Sequence, residues 1–410
     1  MMSLLYLLLL PLLSGLGMLG LGPALMAGRA GAAHVVLLLA GLLLPLRGLG
    51  YLLLARLRGN RPSAMSVVLA AAELLAGVLF LTLPRLSVQL FGVTVAVYLT
   101  LFVTVETINA VLYGRARRWG AFFPSAAAAA AGLVLFLLML FASDPLRGDA
   151  LRYTAALMLT VFGTGLVCDV LALTIRSRRV RRVLGSIRVA LPDLLSLFLP
   201  QRTADVLPRA PLGPVAQQGT EEFELLFQTS ARGIGLVGHC ELCFDGRTLT
   251  YGAYDPAHQH LLRTEGAGIL FSAPREPYLR WCIGTHHRRI ISYSLRLPPA
   301  QAAQLRDKLA RFRQTLTPWQ PEDLPEGCFA ERLRRLGGVQ FWRAERGPYA
   351  TYFIPTINCV TLTNELLEQT DIGRTVMLGL KTPGAYLDLL EREYLAGNPA
   401  VTARRVYDAV

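Results

Sequence analysis

The chain has 410 residues, of which 53% are hydrophobic and 17% charged, and its formal net charge is +13. This balance is too apolar for an ordinary soluble protein. The basic residues of the first half sit in short loops between apolar runs, where they act as topology signals, so the positive charge does not mark nucleic acid as a partner.

Six runs within residues 1–175 are long and apolar enough to cross a hydrocarbon core of about 30 Å. They cover 3–26, 34–55, 65–84, 88–112, 121–142 and 151–174. The first lacks a basic leading region and a clear cleavage site, and its apolar stretch is too long for a signal peptide, so it reads as a helix. One set of flanks carries Arg56, Arg58, Arg61, Arg115, Arg117, Arg118, Arg176, Arg178, Arg179, Arg181 and Arg182; the other carries Arg29, Arg85, Arg147 and Arg152. Eleven arginines against four give a multi-pass protein of the inner cell membrane with both termini, and the domain after the last helix, in the cytoplasm.

Two stretches, one opening AELLAGVLFL and the other AAAGLVLFLL, share a plan: a Gly-containing helix, a short turn with proline, a second helix and a basic exit. This plan resembles the HdeD family of six-helix membrane proteins over residues 60–180, and the resemblance implies a fold rather than an activity. Glu73, Glu106, Asn109 and Asp169 fall inside spanning segments, where a carboxylate faces the bundle interior or a watery cavity. No carboxylate pairs with an intramembrane Lys, Arg or His in this reading, which favours interhelical hydrogen bonds over a transporter's ion path.

An arginine cluster at 176–188 extends the last helix into the interface and suits anionic headgroups at ~1 kcal/mol per basic residue. The following VALPDLLSLFLP is short and broken by Pro192 and Pro200, so it reads as interfacial or packed on the next domain. Residues 201–219, with Pro208, Pro211 and Pro214, have a linker composition. The expected organisation is a transmembrane helical domain at 1–175, a basic segment and linker at 176–222, and a soluble domain at 223–410.

In that last part LVGHCELCF and RTLTYGAY alternate around Asp245-Gly246, a hairpin signal. GILFSA, YLRWCIGT and RRIISYSLRL read as further strands, PPAQAAQLRDKLARFRQTL as a helix, VQFWRAER and ATYFIPTIN as extended, and CVTLTNELLEQT as a helix. An α+β domain follows from that order. The cysteines (168, 240, 243, 282, 328 and 359) have no framework spacing, which argues against a disulfide scaffold and fits a reducing compartment.

Two of these residues carry chemistry. Cys359 starts a helix, where unpaired backbone N–H groups and the positive end of the macrodipole favour a thiolate. His239 is presented on a strand and supplies the base if the fold brings the two within reach. The pair GHCELCFDGRTLTYGAYD and, far downstream, YATYFIPTINCVTLTNELL resembles the circularly permuted papain-like domains of the NlpC and lecithin:retinol acyltransferase type, over residues 223–395. Thr382-Pro383-Gly384 looks like the group's closing turn. The resemblance implies Cys359 as nucleophile, His239 as general base and a third, polar residue on the next strand. A two-residue turn puts His239 opposite Gly252, with Thr250 and Tyr254 diagonal; a slip of one residue brings in Tyr251, and Tyr251 is the expected third member. A zinc site built on Cys240, Cys243 and His239, with Cys282, His286 and His287 as further candidates, is disfavoured, because residues 240 and 243 of a strand face opposite ways.

The reading is therefore a membrane-anchored cysteine hydrolase or acyltransferase acting on an amide, ester or thioester, with no metal and no cofactor. Its tether suits a lipid, lipoprotein or cell-wall-linked substrate at the bilayer. The alternative is a non-catalytic HdeD-like membrane protein whose soluble domain binds a ligand or partner.

Overall fold

The computed structural model describes residues 10–28, 31–115, 117, 119–141, 143–174, 187–189, 199–207, 212, 222–230, 238–260, 264–320, 324–367, 376–378, 382–395 and 398–408. These fall into two compact units, one made of 1–57 and 66–192, the other of 58–65 and 193–410. The arginine cluster at 176–188, apart from 187 and 188, and most of the segment after it lie outside the described residues.

The first unit contains α1 (Leu10–Met26), α2 (Ala32–Leu57), α3 (Ala64–Thr82), α4 (Pro84–Arg115), α5 (Trp119–Phe141) and α6 (Asp144–Thr174). Five of the six, α2 to α6, are long and apolar enough to cross a membrane; α1 is shorter among the described residues. Every exposed large hydrophobic residue described lies between Leu13 and Leu171, an outer surface that water would not tolerate. Proline opens α4 as Pro84 and follows the first residue of α6 as Pro145, positions where its missing N–H costs nothing. Glycines let α1 and α6 approach closely: a Cβ on Gly163 would sit 2.7 Å from the Gly15 carbonyl oxygen.

One expectation fails here. Glu73 of α3 does pair with an arginine inside a candidate membrane-spanning helix: Arg47 of α2 donates Nε (3.0 Å) and Nη2 (2.6 Å) to its Oε1. Arg47 sits within the apolar run 34–55, apart from the arginines of the loops. Gly48, next to it, leaves room for the carboxylate, since a Cβ there would lie 2.7 Å from Oε2. Glu106 accepts from Asn109 Nδ2 one turn on, at 3.4 Å.

The second unit holds an antiparallel sheet of eight strands: β1 (Glu222–Thr229), β2 (His239–Phe244), β3 (Arg247–Gly252), β6 (Ile269–Pro274), β7 (Arg289–Arg296), β8 (Thr317–Pro318), β9 (Gln340–Arg343) and β11 (Val401–Tyr407), in the order β11-β7-β1-β2-β3-β6-β9-β8. Strands β4 (Gln259–His260), β5 (Glu265–Ala267) and β10 (Thr351–Phe353) form a smaller sheet. The helices are α7 (Leu199–Val206), α8 (Arg275–His286), α9 (Pro299–Gln314), α10 (Phe329–Arg334), α11 (Cys359–Leu367) and α12 (Pro383–Leu395). Asp245 (φ 49°) and Gly246 (φ 72°) are both left-handed, the conformation that a two-residue hairpin between β2 and β3 demands.

Several assignments change. YLRWCIGT belongs to α8 rather than a strand: Tyr278, Leu279 and Cys282 are the buried residues, a helical i, i+1, i+4 face that the apparent alternation masks. Residues 199–206 form α7 rather than linker, anchored where Asp205 Oδ2 accepts from the Ser63 N–H at 2.9 Å. Thr382-Pro383 opens α12, with proline at its first position, instead of closing a turn. β1, inside the sheet between β7 and β2, and β11, at its edge, both fall where the sequence reading placed no element.

Candidate active site in the sheet domain

Asn358 starts the site. Its Oδ1 accepts the backbone N–H groups of Val360 (2.9 Å) and Thr361 (3.1 Å), the cap geometry that fixes Cys359 as the first residue of α11. Cys359 is buried, and its Sγ accepts the backbone N–H of Cys240 at 3.4 Å. The paired register of β2 with β3 ends at Leu242–Leu249. Cys240 lies beyond that last pair, so its N–H serves the sulfur.

His239 precedes it. Continuing the hairpin register puts His239 opposite Gly252, and the space a side chain would take there belongs to Tyr254: a Cβ on Gly252 would lie 2.7 Å from Cζ of that ring. The Tyr254 hydroxyl stands 3.3 Å from His239 Nε2, and Oε1 of Glu241 is 4.0 Å from the same nitrogen. Tyr251, the expected third member, does not reach the imidazole. It points to the other face, as alternate strand residues must, and donates to the carbonyls of Tyr349 (2.9 Å) and Thr351 (3.3 Å).

His239, Glu241 and Gln228 share the sheet face covered by α8, whereas Cys240, Leu242 and Tyr251 share the face covered by α11. Cys359 and His239 thus meet at the open end of β2, where both line one cavity of about 310 Å³. Among the described residues no hydrogen bond joins the sulfur to the imidazole. Cys240 faces α11, while Cys243 and Cys282 lie together in the core on the opposite side.

Burial dominates the electrostatics. It pushes the Cys359 thiol up to about 11, against the N–H groups of Cys240 and Val360 and the Tyr352 hydroxyl. The helix N-terminus therefore does not deliver a resting thiolate, contrary to the sequence expectation: desolvation outweighs the dipole. His239 is pulled down to about 3, first by burial and then by the charge of Arg288. Both groups are neutral at pH 7. Glu241 is fully buried and raised above the ordinary carboxylate range by burial, although Tyr278 (2.6 Å), Thr250 (2.8 Å) and Gln228 (2.6 Å) all donate to it.

Sequence reasoning missed Glu241, whose i+2 spacing from His239 places it on the same face and was the available signal. It named Tyr254 as a diagonal neighbour without choosing it. It also missed Arg288, which no local pattern distinguishes from the arginines around it. Comparison of the chain with protein-family models, with curated proteins and with solved structures finds no match.

Proposed function

We propose that the sheet domain is a cysteine hydrolase or acyltransferase of the permuted papain-like type its motifs resemble, acting on an amide, ester or thioester through an acyl-enzyme at Cys359. One observation carries this reading: Cys359, the first residue of a helix, lines the same cavity as His239. The Nδ1 of His239 has no hydrogen-bond partner among the described residues, so it is the nitrogen free to take the thiol proton as the sulfur–carbon bond forms, while Tyr254 holds Nε2. The first N–H of α11, which has no intrahelical acceptor, is placed to receive the developing oxyanion, a contact of a kind worth ~3 kcal/mol. The imidazolium then protonates the leaving group, and water or another acceptor takes the acyl chain from sulfur. The helical unit would hold this chemistry at the inner membrane, on the cytoplasmic side that the arginine bias favours, near lipid, lipoprotein or cell-wall-linked substrates.

The second reading is a domain that binds a ligand without turnover on an HdeD-like membrane protein. It is favoured by the protonated thiol and by the opposite faces from which Cys359 and His239 approach. Treatment of the full chain in detergent with p-nitrophenyl acetate separates the two. The hydrolase reading expects a burst of p-nitrophenol with acetyl on Cys359, absent in Cys359→Ser and slowed about 100-fold in His239→Ala. Slow acylation indifferent to His239 sinks the enzyme and leaves the binding domain.

A further inference from the structure

The cavity of Cys359 and His239 has one permanently charged side chain in its described lining, Arg288. Backbone geometry sets its position. α8 ends in left-handed His287 (φ 48°), whose N–H returns to the Cys282 carbonyl, and the Arg288 N–H goes to that same oxygen at 3.1 Å before β7 begins. The guanidinium is then held on two sides. Nη1 donates to Oε1 of Gln228 at 2.6 Å, and the guanidinium carbon lies 5.4 Å from the centre of the Phe329 ring.

That bond uses one of five N–H donors. The next residue, Arg289, is paired with Asp205, and Arg275 with Glu224. Among the described residues Arg288 has no carboxylate within ion-pair distance. A second donor is idle too: Thr229, 1% exposed, lines the same cavity and its hydroxyl has no hydrogen-bond partner. A half-buried cation held in place without a counter-ion, in a cavity whose lining also includes an unsatisfied hydroxyl, is a site lacking its anion.

Resting on the acyl-transfer reading above, we propose that Arg288 and Thr229 form a carboxylate subsite, so that the substrate is an acyl compound with a carboxylate close to its scissile carbonyl. The guanidinium fork matches a carboxylate in shape. The single charge of Arg288 matches a monoanion and leaves a phosphate dianion in excess. Spacing sets the reach: His239 stands opposite Gln228 in the β1–β2 register, one strand spacing of about 5 Å away. The carboxylate therefore sits within a few bonds of the reacting carbon. Binding also helps the chemistry, because an anion on Arg288 offsets the positive charge that holds His239 down and leaves the base stronger in the complex than in the free protein.

The test is calorimetric binding of N-acetylglycine, N-acetylglycinamide and N-acetylaminomethylphosphonate to the full chain in detergent, carrying Cys359→Ala so that no step depends on the thiol. N-acetylglycine should bind at least ~10-fold more tightly than the amide. Arg288→Gln should erase that preference, and Arg288→Lys, which keeps the charge, should retain part of it and show that the fold survives. No preference for the carboxylate, including no binding of either compound, overturns the subsite; so does tighter binding of the phosphonate. A carboxylate preference alongside failed acylation of Cys359 would sink the hydrolase alone, and acylation without the preference would sink the subsite alone.

Discussion

The sheet domain buries two glutamates on neighbouring strands and treats them in opposite ways. Glu224 on β1 is met head-on by Arg275, whose Nε and Nη2 both reach its carboxylate, with Ser292 Oγ at 2.8 Å as a further donor. Glu241 on β2 is held by neutral donors only, and the nearest cation, Arg288, is kept one residue away by Gln228. Glu73 in the helical unit follows the first pattern, clasped by Arg47. A carboxylate neutralised directly is a fixed part of the core. One left to dipoles, with its cation facing a cavity, keeps a charge imbalance that a ligand can complete, which is the usual setting of a functional group.

Breaking the direct pair should have the largest effect. Arg275→Met leaves Glu224 charged and buried, so the sheet domain should lose about 3–5 kcal/mol, read from urea denaturation of the full chain in detergent by tryptophan fluorescence. Glu241→Gln should cost about 1 kcal/mol by the same measurement, because Thr250 and Tyr278 still find an acceptor and only the bond from Gln228 is lost. The sign with pH sharpens this. Glu241 has a raised pKa in the fold, so its contribution is present in acid and lost as pH rises through and beyond the ordinary carboxylate range. Relative to the wild type, Glu241→Gln should therefore gain stability toward alkaline pH. Equal losses from the two variants would erase the distinction.

His239 gives a smaller and oppositely signed effect. Its pKa falls from 6.5 to about 3 on folding, so the folded state binds fewer protons in acid. The stability this represents is complete above pH 6.5 and is lost as pH drops toward 3. Because the imidazole is 18% exposed, solvent reduces the effect, and at pH 4 wild type should trail His239→Asn by about 2 kcal/mol relative to their difference at pH 8. A difference that stays constant across that range would mean that the imidazole is solvated as an ordinary histidine.

The same contrast explains what the sequence made legible. The helical unit announces itself because five of its helices are long and apolar enough to cross a membrane, and the β2–β3 hairpin because Asp245-Gly246 accepts two left-handed residues that few other pairs tolerate. The start of α11 was equally readable, since Asn358 before Cys359 is a strong cap. Partners brought together by long-range pairing were not. Arg47 meets Glu73, and Gln228 meets both Glu241 and Arg288, through contacts separated by 13 to 60 positions that no local spacing encodes. The thiol's raised pKa was hidden for a related reason: the dipole that lowers it is local, whereas the burial that raises it belongs to the whole fold.

The smallest expected effects distinguish the two tyrosines of β3 and its exit. Tyr251→Phe removes donors to two backbone carbonyls, Tyr349 and Thr351, far from the imidazole. It should cost about 1 kcal/mol of stability and leave the rate of Cys359 acylation unchanged. Tyr254→Phe removes only the hydroxyl that orients His239 Nε2, while its ring still stacks on Phe329 at 5.5 Å and fills the space over Gly252. Stability should hardly move, but acylation should slow about tenfold, equivalent to roughly 1.4 kcal/mol of lost orientation in the transition state. The reverse pattern, with Tyr251→Phe slow and Tyr254→Phe normal, would mean that His239 turns from its resting place to act, and that the register rather than the hydroxyl at Nε2 identifies its working partner.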